Sequence, residues 1–402
     1  MTDHAPSAPY DVAIIGGGFT GLSIAYDLTK AGKRVIVLEA DSQVGGLAGS
    51  FEVGGESLEK FYHHWFTNDL HVMDMIKELG TEDRILHRPT RTGMYYAKNF
   101  FKLSTPSDLL KFTALPFPDR IRLGLLALRA RKVENWMELE NKLASEWLIS
   151  MGGKNVYETV WKPMLAGKFG PYADDISAVW FWNKLKLRGG SRGKGGEEVL
   201  AYYKGGFASL ADSMAKAIVA QGGEVRTSAP VDDILIENGE AEGVRVGDET
   251  ILANRTISTL PTPIFAKMLG DRASDDYKKV LGGIDYLANV CLVLQLDRSL
   301  SQTYWLNVAD PNFPYVGIIE HTNFEPPETY AGKHIVYLSK YLPESEPLFR
   351  MSDKEAFEYR RQLKELTRDA PELLAAINAA PENSIFFYAN RRVQRLSFNE
   401  FM

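Results

Sequence analysis

The chain has 402 residues, 45% hydrophobic and 24% charged, which is ordinary globular usage and excludes a wholly disordered, collagen-like or disulfide-stapled polypeptide. Forty-six Lys and Arg against 52 Asp and Glu leave a net charge of −6, so no global positive field invites nucleic acid. Cys291 is the only cysteine, which excludes an internal disulfide and a cysteine-based metal site and is compatible with a reducing compartment.

The first nine residues form a short Pro/Ala/Ser leader without a basic region, so no secretion signal is expected and the cytoplasm is the expected location. The longest uncharged stretch, 12–26, is too short and too rich in glycine to span a bilayer. Tyr10 to Ile15 then predicts a buried parallel strand that stops at Gly16-Gly17-Gly18. Leu22, Ala25, Tyr26 and Leu28 give helical spacing from Phe19 to Ala31, closed by Gly32 in a left-handed position. Lys33 to Glu39 supplies a second strand, completing the opening of a nucleotide-binding α/β domain.

Beyond Gly45-Gly46 the chain becomes aromatic and histidine-rich from Phe61 to Phe66, and helical from about Asp69 to Leu79. Residues 105–165 predict a helical insertion, and 201–271 return to the α/β style with a helix ending at Gly222-Gly223 followed by short strands. Apolar strands such as 288–296 and 334–338 come next, then a charged helix over roughly 353–369. The simplest organisation is a discontinuous nucleotide domain, 8–60 with 200–272, and a mixed α+β substrate domain, 61–199 with 273–402.

Gly16-x-Gly18-x-x-Gly21 between a strand and a helix is the dinucleotide turn. The first glycine makes the bend, the second lets a pyrophosphate approach backbone N–H groups at Phe19 and Thr20, and the third permits close helix packing. Glu39, 23 residues after Gly16, can accept both ribose hydroxyls and would repel a 2′-phosphate, so NADP is disfavoured while NAD and FAD stay open on these residues. The helix start adds its partial positive charge.

Glu39-Ala40-x-x-x-x-Gly45-Gly46-Leu47 resembles the extended flavin fingerprint of the flavin amine oxidase, protoporphyrinogen oxidase and UDP-galactopyranose mutase superfamily. Tyr203-Lys204-Gly205-Gly206-Phe207, the stretch from Gly222 through Val231 to Ile234, and Ala253 to Pro261 are similar to that family as well. So are Glu59 to His64 and Trp161 to Gly170. The resemblance implies a Rossmann-like, glutathione-reductase-type FAD-binding domain, with Gly45, Gly46 and Leu47 near the flavin side of the pyrophosphate and the Val231 backbone at the adenine. It implies His63 and His64 as flavin neighbours, against the alternative that they are hydrogen-bonded members of an aromatic cluster. It also implies a closing glycine-containing strand and helix that return to the flavin. Phe398 to Met402 shows neither, so the end reads as a truncation that weakens flavin affinity.

The glycine-rich basic stretch 188–196 fails the phosphate-loop pattern and reads as a mobile solvated loop or a lid over an anionic substrate. Arg120 to Lys132 carries five basic residues and an apolar stripe. A surface helix with its Leu face in the core is the expected form, and peripheral membrane docking the alternative. No nucleophile triad or metal cluster can be assembled. The expected activity is oxidation of a small organic substrate by hydride transfer to FAD, with two alternatives: a mutase-like rearrangement of a nucleotide sugar, or a non-catalytic truncated flavoprotein. The oligomeric state is left open.

Overall fold

The computed structural model describes residues 9–350 apart from Lys98, Pro311, Asn312 and Pro314, together with the backbone of Ile385–Gln394. The expected helix at 353–369 and the last residues, 398–402, lie outside the described residues.

Strand β1 (Val12–Ile15), helix α1 (Phe19–Lys30) and strand β2 (Val35–Leu38) stand where the sequence places them, shorter by two, one and three residues respectively. Helix α1 ends in a Schellman closure: Gly32, at φ +77°, donates to the Thr29 carbonyl and Lys33 to that of Leu28. A four-stranded parallel sheet runs in the order Glu224–Arg226, β2, β1, Thr256–Ser258. Because side chains alternate along a strand, its two faces bury different sets. Val12, Ile14, Val35 and Val37 pack with Leu22, Ala25 and Tyr26 of α1 and with Leu210, Met214 and Ile218 of the helix Gly206–Ala220. Ala13, Ile15, Ile36 and Leu38 pack against Ile234, Val244 and Ile251 of a three-stranded antiparallel meander, Asp233–Glu237, Glu240–Val246 and Glu249–Leu252. Burial on both faces explains why β1 and β2 read as unbroken apolar runs.

A seven-stranded mixed sheet is built round the long strand Tyr286–Leu296, paired with His334–Leu342 on one side and Ile385–Gln394 on the other. Cys291 is fully buried in its centre, as a small core residue. Between the sheets a short strand pair, Glu198–Tyr203 with Ile85–Thr90, carries Leu200 and Tyr202 into the same core as Cys291, Val293 and Tyr337.

The helical region extends further than the sequence indicated, through Lys162–Phe169 to Ala178–Gly190, because Phe181 and Trp182 complete a core with Trp147, Leu148 and Leu165. The basic glycine stretch is therefore not a free loop. Arg188 to Gly190 belong to the end of a helix, the Arg188 guanidinium lies 3.1 Å from the Glu198 carboxylate, and Arg192 donates to the Ser104 carbonyl at 2.7 Å. The helix Phe117–Ala130 departs from expectation in the opposite sense. Leu123, Leu126 and Ala130 enter the core, but Phe117, Ile121, Leu125 and Leu128 are between 40% and 58% exposed on one outer stripe. Among the described residues no helix is long and apolar enough to cross a membrane.

Candidate functional site

The turn between β1 and α1 is a set of contacts that only glycine permits. A Cβ on Gly21 would stand 2.0 Å from the Gly16 carbonyl oxygen, one on Gly17 2.9 Å from the Glu39 Cβ, and one on Gly16 2.5 Å from the Thr259 hydroxyl. Thr259, whose own hydroxyl donates to the Ile15 carbonyl at 3.0 Å, thus locks the returning strand onto the bend. Gly18 differs: a Cβ there would meet only the Gly46 Cα, at 3.8 Å, an ordinary contact. The Gly45 N–H donates to the Gly17 carbonyl at 2.9 Å, so the second glycine pair runs directly beside the first and leaves a cradle with no side chain in it.

No side chain caps α1, which leaves the first N–H groups of the helix, among them those of Phe19 and Thr20, facing the cradle with the positive end of the helix dipole. Glu39 is fixed by accepting the Gly17 N–H at 2.7 Å and the Asp41 N–H at 2.9 Å. A carboxylate offers roughly four acceptor positions, so two remain for a diol. The Ala229 N–H bonds the Glu39 carbonyl at 2.8 Å, which brings half-buried Val231 within two residues of the same point. Ala40, Gly46 and Leu47 are exposed along the cradle's rim. A mononucleotide diphosphate with its ribose fits this donor and acceptor set.

Aromatic rings join the cradle to the histidine segment. The Phe207 ring packs edge-on to Phe19 at 6.2 Å, lies 5.2 Å from the His63 imidazole and stacks on Trp65 at 4.0 Å. The His63 Nδ1 is 2.6 Å from the Phe61 carbonyl oxygen, which fixes the proton there, and burial holds the imidazole below its usual pKa. The two histidines part company at this point. His64 sits among Phe66, Tyr304, Trp305 and Phe324, with Nδ1 2.9 Å from the Tyr304 hydroxyl. Burial, assisted by the Arg188 guanidinium, pulls it down to about 3. The arrangement sets a neutral His63 beside the cradle and a neutral His64 in the aromatic core.

Three groups near the site were not singled out by sequence. Glu59 is buried, and its carboxylate accepts the Phe207 N–H at 2.6 Å and the Tyr202 hydroxyl at 2.8 Å, holding the start of the helix Gly206–Ala220. Burial raises its pKa against those hydrogen bonds. The Tyr62 hydroxyl donates to Ser339 Oγ at 3.0 Å, and Asn289 Nδ2 donates to the same oxygen at 2.9 Å, leaving Asn289 Oδ1 buried without a partner among the described residues.

Residues 19–380 match the model of the flavin-containing amine oxidoreductase family, nine-tenths of the sequence given. The chain belongs to that family. Its members among the relatives are oxidoreductase enzymes. A nicotine dehydrogenase of Pseudomonas putida is 24% identical over 268 residues, 63% of this chain and 53% of that protein. The chain spans about half the length of the curated relatives it matches. Two solved structures share the fold. An oxidoreductase from Methanosarcina mazei has a TM-score of 0.66 at 21% identity, covering 94% of this chain and 87% of that one. A reduced UDP-galactopyranose mutase has 0.67 at 15%, covering 96% and 83%. Family membership implies a flavin cofactor.

Proposed function

We propose that the chain binds FAD non-covalently and oxidises a small organic substrate. The observation that carries this is the pair of glycine turns packed together at Gly18 and Gly46 with no side chain over either, with Glu39 fixed at one end and Phe207 and His63 at the other. The cofactor-binding part is drawn from 8–60 and 200–272, the substrate part from 61–199 and 273–402. Gly16, Gly18, Phe19, Thr20, Gly21, Gly45, Gly46 and Leu47 would hold the diphosphate, Glu39 and Ala40 the ribose, and the Val231 backbone the adenine. FAD bound there supplies, at N5, an acceptor for a hydride from a substrate C–H bond, with dioxygen or another oxidant taking the electrons onward. The protein's own part is orientation, exclusion of water by the Phe19, Trp65 and Phe207 rings, and a neutral His63 whose Nδ1 proton is held by the Phe61 carbonyl.

The test is anaerobic mixing of the FAD-reconstituted protein with single candidate reductants. Bleaching of the flavin bands by one compound class supports the reading. Turnover only after dithionite reduction would replace it with a rearrangement without net redox.

The outer stripe Phe117, Ile121, Leu125 and Leu128, flanked by Arg120, Arg122, Arg129, Arg131 and Lys132, supports peripheral contact with an anionic bilayer. Apolar side chains would enter the interface, while Arg122, paired with Asp119, and Arg120, Arg129 and Arg131, which donate to backbone carbonyls, keep their charge beside it. With a single buried thiol, the proposed location is the cytoplasm.

A further inference from the structure

Two lysines stand against the same aromatic side chain, Trp180, and among the described residues neither has an ion-pair partner. Lys168, on the helix Lys162–Phe169, donates to the Tyr341 hydroxyl at 3.2 Å and lies 4.4 Å from that ring's centroid and 5.9 Å from that of Trp180. Lys184, on the helix Ala178–Gly190, also lies 5.9 Å from the Trp180 ring centroid. Among the described residues, no carboxylate comes within ion-pair distance of either. Arg188, the next cation along, already faces Glu198, and the Asp69 carboxylate accepts the Phe66 N–H.

Lys184 remains solvent-exposed, yet the protein round it, together with the Lys168 charge, lowers its pKa; Asp69 and Tyr341 act the other way. The lysine charge also lowers the pKa of Tyr341 in spite of its burial. Two ammonium groups facing a shared aromatic wall repel one another, and ring faces offset only part of that. An oxyanion between them would relieve the repulsion and accept hydrogen bonds from both.

The lysine pair is tied to the site. Tyr341 Oη is 3.3 Å from Tyr62 Oη, and Tyr62 is next in sequence to His63 and donates to Ser339 Oγ, which also accepts from Asn289 Nδ2. We propose that Lys168, Lys184 and Tyr341 form the subsite that selects the substrate, and that it takes a molecule with an apolar or aromatic body and a carboxylate or phosphate group rather than a free amine. This rests on the reading of the neighbouring site as the place of oxidation. A cationic amine entering there would meet two like charges, and the carboxylate that acts on Lys184, Asp69, already accepts the Phe66 N–H.

The test uses three probes of one shape and different charge, benzoate, phenyl phosphate and benzylamine, titrated calorimetrically into the full FAD-reconstituted chain. Flavin content is read separately from the visible spectrum. At least one of the two anions should bind tenfold or more tighter than benzylamine. Which anion wins distinguishes a carboxylate from a phosphate substrate. Lys168→Met and Lys184→Met should each weaken that anion at least tenfold, Lys168→Arg should restore binding to within about threefold, and flavin content should stay unchanged in all. Benzylamine binding as well as the anions, or anion binding indifferent to both lysines, overturns the proposal. So does loss of flavin in the lysine variants, which would assign the pair to the cofactor. A protein that takes up no flavin but still shows lysine-dependent anion binding would leave this subsite standing while removing the oxidative reading.

Discussion

The Glu59 carboxylate accepts the Phe207 N–H at 2.6 Å from a position 148 residues earlier in the chain, and so ties the segment leading to His63 to the helix whose first ring meets both His63 and Phe19. Glu59→Ala leaves that N–H and the Tyr202 hydroxyl buried without an acceptor, at about 1–3 kcal/mol each. Glu59→Gln keeps an acceptor and, because burial already disfavours the charged carboxyl, should cost clearly less. Chemical denaturation of both variants checks the order. Equal losses would mean that negative charge at the helix start is what matters.

Gly18 and Gly21 look alike in sequence and should fail differently. Gly21→Ala drives a methyl into the Gly16 carbonyl, so the thermal midpoint should fall and soluble yield with it. Gly18→Ala meets no protein atom closer than 3.8 Å and should melt with the wild type, while its methyl fills the diphosphate position and weakens FAD at least tenfold. Melting curves and FAD titrations on the pair separate the two effects. A Gly18→Ala protein with undiminished FAD affinity would remove the turn from the binding account.

Glu39→Ala should weaken FAD by the loss of charge-assisted hydrogen bonds, on the order of 1.5–3 kcal/mol. Part of that loss is the release of the Gly17 and Asp41 amides that the carboxylate now organises. Glu39→Gln retains one acceptor and should fall between. The measurement is the FAD dissociation constant of each variant, and an effect near zero would place the ribose elsewhere.

His64 and His321 titrate at about 3 in the fold, His321 solely because it is buried, against an ordinary value of 6.5. Between those values the unfolded chain binds more protons than the native one. Their contribution to stability is therefore complete above pH 6.5 and is lost as pH falls toward 3, at up to about 1.4 kcal/mol per pH unit for each histidine. His321→Asn should flatten the slope of unfolding free energy against pH by about one proton between pH 4 and 6. An unchanged slope would show that His321 is protonated in the native state.

What the sequence revealed was local. The β1–α1–β2 unit and its glycines are legible because each depends on neighbours within about 30 residues, and Glu39 is found by counting from Gly16. The Phe117–Ala130 helix was visible, but not which apolar residues would be left outside, because its apolar side chains wrap round the axis and only the packing of Leu123 and Leu126 selects a face. Glu59 with Tyr202, 143 residues apart, and Lys168 with Tyr341, 173 apart, carry no local pattern. Their meaning arises only when the sheets bring them together. The separate fates of His63 and His64 were equally hidden, since adjacent residues in an extended segment face opposite ways.

The central claim is tested most directly by titrating FAD into the purified chain and following flavin fluorescence, with FMN titrated in parallel. The account predicts one FAD per chain, with quenching reversed by ADP, which competes for Gly18, Glu39 and Val231, and much weaker binding of FMN, which lacks the half those residues hold. FMN binding as tightly as FAD, or FAD binding untouched by ADP, would contradict it.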